Sequence, residues 1–489
     1  MLVSSTLVFA PVKAYADGAV KEITVFSWED YIDEGYSFEQ GDEPSKYLTE
    51  NYTEEQLSSS VLDIFEEQTG IKVNYFSFAT CEEMYNELKK DPKACDVICP
   101  SEYMILKMKE EGLIKPYAVP ENYQKHGSPY IKGVFDELNL NTADGKTYAV
   151  GYMWGTMGMI YNTKEYTAQD FKSWTNLYDE KFENKFTIKD SLRDSYIMTL
   201  AIVYKDELLE LKSNLDSGAI TVETYKDKLF EIFNRTDKET VDMVGDAIID
   251  LKPNLYGFEV DAGKSDLLDG KIYANFAWSG DAVYSIFEGE EMDVSLGYAV
   301  PEEGSNVWFD GWVMTKDADE ELASQFINFV SDPKIAVRNM EYVGYTSCIG
   351  GDEVFDYVSC NYDKGEGDPV DLKYFFDPDC ESGDYIVYTT EKNGSFYAQY
   401  ADEQTILRCA VMDNFTNEDL ELVNEMWNKV KLITLPDFML IIIIALIVVI
   451  VLAIVLFKFK DKIFQKQITS AQVKPRRKNC KVIKIEDNK

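Results

Sequence analysis

The sequence predicts an α/β protein built of two lobes, with one transmembrane helix near its C-terminal end. Segments typical of strands and helices alternate over residues 21–112 and again over residues 163–300, and this alternation indicates doubly wound α/β lobes. Between the two series lies the extended run 148–162, which is too long for one ordinary strand. We interpret this run as a crossover between the lobes. A run of 20 apolar residues follows at 438–457, and its length matches a membrane-spanning helix.

The first lobe is predicted from a regular series of strands and helices. The expected strands are residues 23–26, 71–75 and 96–99, and the expected helices are residues 61–69, 82–90 and 104–111. Gly70 and Gly112 stand where glycine commonly ends a helix. Residues 33–58 are acidic, rich in tyrosine and without a period, so we expect them to form an inserted surface segment.

The second lobe and the return to the first lobe follow from the same alternation. The expected strands are residues 186–188, 273–278, 294–300 and 312–314, and the expected helices are residues 196–204, 221–233, 240–249, 321–330 and 417–430. Residues 350–405, rich in Gly, Asp and Tyr, are expected to form an elaborated loop region. We expect lobe 1 to comprise residues 21–150 and 301–435, and lobe 2 to comprise residues 151–300.

Both ends of the chain indicate an exported domain held at the cell membrane. Residues 1–16 resemble a signal peptide that ends in Ala14-Tyr15-Ala16, although the usual positively charged start is missing, as in a truncated signal. The tail 458–489 carries 11 Lys and Arg residues against 3 Asp and Glu residues, which predicts a cytoplasmic C-terminus by the positive-inside rule. We therefore expect a single-pass protein whose folded part faces the extracellular or periplasmic side.

The composition argues against several classes of function. The chain has 87 Asp and Glu residues against 48 Lys and Arg residues, a net charge of −39, which disfavours binding to nucleic acid. The single histidine is His126, and the sequence contains no metal-ligand cluster, phosphate-binding loop or nucleophile elbow. We therefore expect no metal, no cofactor and no enzymatic activity, with a glycosidase that uses a carboxylate pair as the alternative left open. A signalling role for the inner tail is disfavoured because the tail is too short for a signalling domain.

Seven cysteines lie between the predicted signal peptide and the predicted transmembrane helix. An odd number cannot pair completely, so we expect mainly buried free thiols. A disulfide among Cys348, Cys360, Cys380 and Cys409 remains open, with no pairing preferred.

Aromatic and acidic side chains occur together at the end of the first strand, in Trp28, Glu29, Asp30 and Tyr31. In an open α/β sheet, ligands bind at the carboxyl ends of the strands. Aromatic faces and carboxylates together suit an organic cation, because the ring attracts positive charge and the carboxylate neutralises it. The alternative is a surface aromatic pair that packs against a loop.

The order of motifs along the chain resembles that of a known family. The helix-turn-strand segment 65–73 is similar to the corresponding part of extracellular solute-binding proteins of ABC importers. The full set resembles the spermidine/putrescine-binding branch, from residue 21 to about 430, with insertions at 33–58 and around 350–405. The matching motifs are Trp28 to Tyr31, Pro100 to Tyr103, Trp154-Gly155, Asp190 to Asp194, Trp278, Trp308 to Asp310, and Gly344-Tyr345.

The resemblance implies a two-lobed clamp of the type II periplasmic-binding-protein class, which binds a polyamine between its lobes and delivers it to ABC transporter permease subunits. The aromatic residues implied to enclose the methylene chain are Trp28, Tyr31, Tyr103, Trp278, Trp308 and Tyr345. The residues implied to bind the ammonium groups are Ser101, Asp190, Asp194 and Asp310. Glu29 replaces a residue that is often Thr in the family, and the added carboxylate is expected to change the preference among polyamines.

Other interpretations of these residues stay open. Asp310 also suits a turn, and Asp190 and Asp194 also suit helix capping or an ion pair with a neighbouring arginine. Glu102 and Asp30 are expected to face solvent. For the whole protein, the main alternative is the same clamp binding another organic cation or small solute, because fold alone does not decide the ligand.

Overall fold

The computed structural model describes residues 21–39, 41–380, 382–390, 392–432, 449, 450 and 452. The strands are β1 (Lys21–Trp28), β2 (Ile71–Phe78), β3 (Val97–Ile98), β4 (Ile114–Lys115), β5 (Tyr117–Ala118), β6 (Lys146–Thr147), β7 (Val150–Asn162), β8 (Phe186–Lys189), β9 (Leu255–Glu259), β10 (Ala274–Trp278), β11 (Leu296–Ala299), β12 (Val307–Thr315), β13 (Thr346–Ser347), β14 (Asp368–Asp371) and β15 (Ser382–Thr389).

The helices alternate with these strands along the chain. They are α1 (Lys46–Asn51), α2 (Glu54–Ser58), α3 (Val61–Thr69), α4 (Cys81–Lys90), α5 (Glu102–Glu110), α6 (Glu121–His126), α7 (Pro129–Glu137), α8 (Leu192–Val203), α9 (Lys205–Asp216), α10 (Val222–Phe233), α11 (Lys238–Leu251), α12 (Gly263–Leu268), α13 (Ser279–Glu291), α14 (Glu320–Val330), α15 (Pro333–Val343), α16 (Asp352–Tyr362), α17 (Lys373–Phe376), α18 (Ser395–Gln399), α19 (Glu403–Leu407) and α20 (Asn417–Lys431). Short 3-10 helices lie at Ala168–Phe171, Trp174–Tyr178 and Glu180–Phe182.

Most strands belong to one mixed sheet with the order β2-β1-β3-β12-β7-β10-β8-β9. In addition, β4 pairs with β12, and β11 and β13 pair with β7. The strands β2, β1 and β3 are parallel to one another, as are β10, β8 and β9. We name the half around β1–β4 the first lobe and the half around β8–β11 the second lobe. In each half the parallel strands alternate with helices, as the sequence predicts for an α/β fold.

The two halves of the sheet are joined by the long strands β7 and β12. The first part of β7 pairs with β12, from Val150 to Thr156, and its second part pairs with β10, from Met157 to Tyr161. All residues of β7 except the last are buried. This pairing is the one expected for a strand that crosses between lobes, and it explains why the run is too long to serve a single lobe.

Residues 33–58 contain two short helices, α1 and α2, where the sequence predicted an aperiodic segment. The sequence shows no period here because each helix buries only one leucine, Leu48 or Leu57, which is too little apolar surface to produce one. The segment is held by Arg338 of α15, whose Nη2 lies 2.6 Å from Asp33 Oδ2. Arg338 also donates to the carbonyls of Gln56 at 3.0 Å and Ser59 at 2.8 Å, so one buried guanidinium fixes both ends of the insertion.

The region 350–405 is less irregular than expected. It contains helices α16 to α19 and the hairpin of β14 and β15. Its aromatic residues explain this order, since Phe376 stacks on Tyr385 at 5.3 Å and Phe375 stacks on Trp154 of β7 at 5.3 Å. The elaboration is thus packed onto the crossover strand.

The predicted signal peptide and cytoplasmic tail lie outside the residues that the structure describes, as does the predicted transmembrane run 438–457 apart from residues 449, 450 and 452. Within the described ranges, no helix has the length and apolarity needed to cross a membrane. The chain divides after Val430 into two compact units, and the sheet lies in the first.

The seven cysteines expected outside the membrane are all free thiols in the structure. Cys81, Cys95, Cys99, Cys348 and Cys409 are buried, whereas Cys360 is exposed and Cys380 is partly exposed. A disulfide among the last four cysteines of the exported part is therefore not formed here.

Candidate ligand-binding site

Asp310 lies at the centre of the junction between the lobes, on β12. Its carboxylate accepts hydrogen bonds from the Tyr31 hydroxyl and the Ser101 hydroxyl, both at 2.7 Å. Asp310 is only 5% exposed, and this burial raises the pKa of its carboxyl group to about 6, against the lowering effect of the two hydrogen bonds. The interpretation of Asp310 as a turn residue is wrong, because it sits inside a strand, next to a β-bulge before Gly311.

Three aromatic rings surround this carboxylate. The Tyr345 ring packs edge-on against Trp308 at 5.4 Å and against Tyr31 at 5.8 Å. Gly344 places Tyr345 here, because its φ of +80° ends helix α15 in the left-handed conformation. Gly280 allows the close approach, since a Cβ at that position would overlap the Tyr345 ring. The structure therefore brings together Tyr31, Trp308 and Tyr345 as the sequence predicts.

The second lobe contributes Asp194 and Trp278. Asp194 lies in the first turn of α8, where its backbone N–H bonds the capping Ser191 hydroxyl at 3.3 Å. Burial raises the pKa of the Asp194 carboxyl group to about 6, opposed by hydrogen bonds from Ser191 and Trp278 and by the nearby charge of Lys189. Asp190, predicted to bind the ligand as well, is exposed at the end of β8, outside this buried group.

Two residues of the second lobe that the sequence analysis did not select, Lys189 and Asp281, form an ion pair beside Trp278. The Lys189 ammonium lies 3.1 Å from Asp281 Oδ2 and 4.3 Å from the centre of the Trp278 ring. Asp281 also accepts a hydrogen bond from the Tyr345 hydroxyl at 3.0 Å. Asp281 is the third residue of α13 and does not cap that helix. One face of the Trp278 ring is therefore already covered by a cation of the protein itself.

Tyr103 lies at the junction but faces another cation of the protein. The Arg193 guanidinium carbon lies 3.8 Å from the centre of the Tyr103 ring and 4.3 Å from that of Phe415. The Tyr103 hydroxyl donates to Glu82 at 3.4 Å. Arg193 thus packs against these two rings, and its charge opposes the rise in the pKa of its neighbour Asp194.

Glu102 is buried, so the expectation that it faces solvent is wrong. It is 0% exposed, and its Oε2 accepts the Phe309 backbone N–H at 3.3 Å. Its Oε1 has no hydrogen-bond partner among the described residues. Burial raises the pKa of this carboxyl group well above its usual range, and the neighbouring carboxyls of Asp310 and Asp194 raise it further. Glu102 therefore places a third carboxyl group between those two.

Trp28 and Glu29 lie apart from this group. Trp28 is half-buried and packs against Phe78 at a ring distance of 4.8 Å, and the structure gives it no contact with Asp310. Glu29 is exposed, as is Asp30, the residue expected to face solvent. The end of β1 thus contributes Tyr31 to the buried site and leaves its preceding residues at the margin.

The arrangement is suited to hold an organic cation. Glu102, Asp194 and Asp310 are buried carboxyl groups from both sides of the junction, and the ion pairs of this region that the structure describes are made instead by Lys189 and Lys264. None of the described ion pairs involves these three acids, so each can bind an entering positive group, to which the surrounding rings offer π faces. A chain of positive nitrogens separated by methylene groups matches both features.

Comparison with known proteins identifies relatives of this chain. The chain is 26% identical over 300 residues to the spermidine/putrescine-binding periplasmic protein of Salmonella typhimurium, covering 60% of this chain and 75% of that protein. It is 25% identical over 316 residues to the protein of the same name in Escherichia coli, covering 64% and 80%.

Solved structures show the same two-lobed α/β fold. The substrate-binding protein PotD of a spermidine/putrescine ABC transporter from Streptococcus pneumoniae matches with a TM-score of 0.54 and 23% identity, over 84% of this chain and 98% of that chain. The lipoprotein Tp0655 of Treponema pallidum matches with a TM-score of 0.56 and 16% identity, over 84% and 99%. The family model described as bacterial extracellular solute-binding protein matches residues 60–350. The chain thus belongs to the bacterial extracellular solute-binding proteins, which bind solutes and are not enzymes.

Proposed function

We propose that this protein captures a polyamine of the spermidine and putrescine type outside the cell and delivers it to the permease subunits of an ABC importer. The observation that carries the proposal is the set of three buried carboxyls without an ion pair, Glu102, Asp194 and Asp310, beside the aromatic rings at the junction. The names of the relatives from Salmonella typhimurium and Escherichia coli support the same ligand class.

The energetics of such a site favour a linear polyamine over a compact cation. Each ammonium group that meets a carboxylate forms charge-assisted hydrogen bonds worth about 1.5–3 kcal/mol, and each ring face adds about 0.5–2 kcal/mol. Asp194 and Asp310, with pKa values near 6, are drawn into the ionised form by the arriving ammonium groups. Binding therefore releases protons and weakens as the pH falls below about 6.

The roles of the individual residues follow from where they lie. Asp310, with Ser101 and Tyr31, binds one ammonium group, and Trp308 and Tyr345 enclose the adjoining methylene groups. Asp194, which lies in the second lobe, binds a further ammonium group of the ligand. The residues at the margin of the site, which supply long-range attraction or close over the ligand, are Trp28, Glu29, Tyr103, Asp190 and Trp278.

The proposal includes the placement of the protein. The 20-residue apolar run 438–457 and the basic tail after it suit a membrane anchor that keeps the binding lobes near the importer. We assign residues 21–150 and 301–435 to lobe 1 and residues 151–300 to lobe 2, with β7 as the connection. The segment 1–16 serves as the export signal.

The test is calorimetry on the full chain with putrescine and spermidine. Asp310→Asn removes the central charge and keeps the shape, so we expect an affinity loss of at least 100-fold. The matched control is Asp317→Asn, which removes an exposed carboxylate beyond the end of the same strand and should leave the affinity unchanged. If both polyamines fail to bind the unaltered protein while another organic cation from a ligand panel binds, the alternative ligand class is correct.

A further inference from the structure

The Lys189 side chain occupies a site that has the composition of an ammonium-binding site. It is 1% exposed, at the end of β8. Its Nζ lies 3.1 Å from Glu259 Oε1 and 3.1 Å from Asp281 Oδ2, and it donates to the Val260 carbonyl at 2.8 Å. The Trp278 ring centre is 4.3 Å away. Two carboxylates and one indole face compensate the charge of an alkylammonium group here, and hydrogen bonds to Asp281 and to the Val260 carbonyl satisfy two of its N–H donors.

This site is continuous with the proposed polyamine site. Asp281 bonds the Tyr345 hydroxyl at 3.0 Å, and the Tyr345 ring contacts Tyr31, whose hydroxyl bonds Asp310. On the other side, the Trp278 side chain is close enough to Asp194 to oppose the rise in the pKa of that carboxyl group. The Lys189 ammonium therefore stands at the second-lobe end of a row of acidic groups that extends to Asp310.

We infer that Lys189 supplies from within the chain one ammonium group of an extended polycation site, and thereby limits the length and the number of charged nitrogens of the ligand that fits. The inference rests on the proposed function and deepens it. A ligand ammonium cannot enter this end, because the buried ammonium group of Lys189 already lies between Glu259 and Asp281. The remaining carboxyls select a shorter amine such as a diamine.

Truncation of Lys189 should reopen this end to the ligand. In Lys189→Ala, Glu259 loses its ammonium partner, Asp281 keeps only Lys264 at 3.5 Å, and the lysine stem leaves space behind. A longer polyamine can then place its additional ammonium group between Glu259 and Asp281, against the Trp278 ring. The gain is specific to the longer ligand, since a diamine has no nitrogen left for this position.

The first test measures putrescine and spermidine affinities of the full chain by calorimetry. We expect Lys189→Ala to shift the ratio of the two dissociation constants at least tenfold in favour of spermidine, and Lys189→Arg to keep the ratio of the unaltered protein. The matched control is Lys185→Ala, which removes a lysine that lies 4.8 Å from the Tyr273 ring at the opposite end of β8. A ratio in Lys189→Ala within twofold of that in Lys185→Ala overturns the inference.

The second test needs no polyamine. Propylammonium imitates the end of a lysine side chain, so at millimolar concentration it should raise the melting temperature of Lys189→Ala and leave that of Lys185→Ala unchanged. If Lys189→Ala does not fold, Lys189→Ala/Glu259→Gln removes one buried charge as well and should respond in the same direction. Absence of any response overturns the inference. A response in a protein that binds neither polyamine refutes the proposed function alone.

Discussion

Two groups of buried carboxyls lie at the junction of the lobes, and they differ in whether a cation of the protein lies beside them. In the first, Asp310 is held by the neutral hydroxyls of Tyr31 and Ser101. In the second, Glu259 and Asp281 share the ammonium group of Lys189. Both groups are deeply buried, yet only the second carries its own compensating charge. The difference separates an acidic site built for stability from one that stays dependent on a cation from outside.

The largest expected effect on stability comes from removing one carboxylate of the second group, which pairs with Lys189. Glu259→Gln leaves Lys189 buried with only one carboxylate, and it also weakens the bond from the Gly263 N–H to Glu259 Oε2, now 2.8 Å. We expect the free energy of unfolding to fall by about 3 kcal/mol, measured by chemical denaturation at pH 7.5. Glu207→Gln, which breaks the partly exposed ion pair with Arg235, should cost less than about 1 kcal/mol. Equal losses of stability in the two variants would show that the buried ion pair contributes no more than the partly exposed one.

Asp310 lacks a compensating charge, so replacing its carboxyl group should raise the free energy of unfolding at neutral pH instead of lowering it. Burial raises the pKa of Asp310 to about 6 in the folded protein, so its contribution to stability is fully present below the unfolded value near 4 and is lost as the pH rises through about 6. The Asp310→Asn variant has no carboxyl group to ionise there, so it does not lose this stability as the pH rises. Without ligand, the variant should therefore gain about 2 kcal/mol on the unaltered protein between pH 4.5 and pH 7.5. Denaturation curves at both pH values measure this, and a pH-independent difference would show that the carboxyl group is compensated after all.

The smallest effect is expected at the margin of the site. Glu29 is exposed at the end of β1, where water and salt screen its charge. Glu29→Gln should change polyamine affinity by about twofold or less at physiological ionic strength, as calorimetry with spermidine can measure. A loss of tenfold or more would place this residue in direct contact with the ligand and would restore the importance that the sequence gave to it.

The parts of the fold and site that sequence reasoning predicted depend on local patterns. Helix α3 begins after Ser60 and ends at Gly70, and both ends are set by residues that cap helices in most proteins. Tyr31, Ser101 and Asp310 were selected because each belongs to a short motif that resembles one of the family. Their contact across 209 and 279 residues of sequence could be expected only through the resemblance to a family.

The missed features depend on contacts that no local pattern reveals. Glu102 stands at the start of a helix, where an acidic residue is ordinarily solvated and favoured by the helix dipole. Its burial arises from β12 and α8, which reach it from elsewhere in the chain. Lys189 likewise reads as a polar residue at the end of a strand. Its partners Glu259 and Asp281 follow 70 and 92 residues later, and only the parallel pairing of β8 with β9 and β10 brings them together.

Helix α15 has a further consequence for the shape of the site. Arg338, inside this helix, forms an ion pair with Asp33, two residues beyond Tyr31. The same helix ends at Gly344, directly before Tyr345. The two tyrosines that flank Asp310 are therefore both positioned by helix α15, although 314 positions of the chain separate them. Any attempt to retune the protein for a wider solute should leave that arrangement alone and begin at Trp278 in the second lobe, because a change at Lys189 also disturbs Asp281, which bonds the Tyr345 hydroxyl.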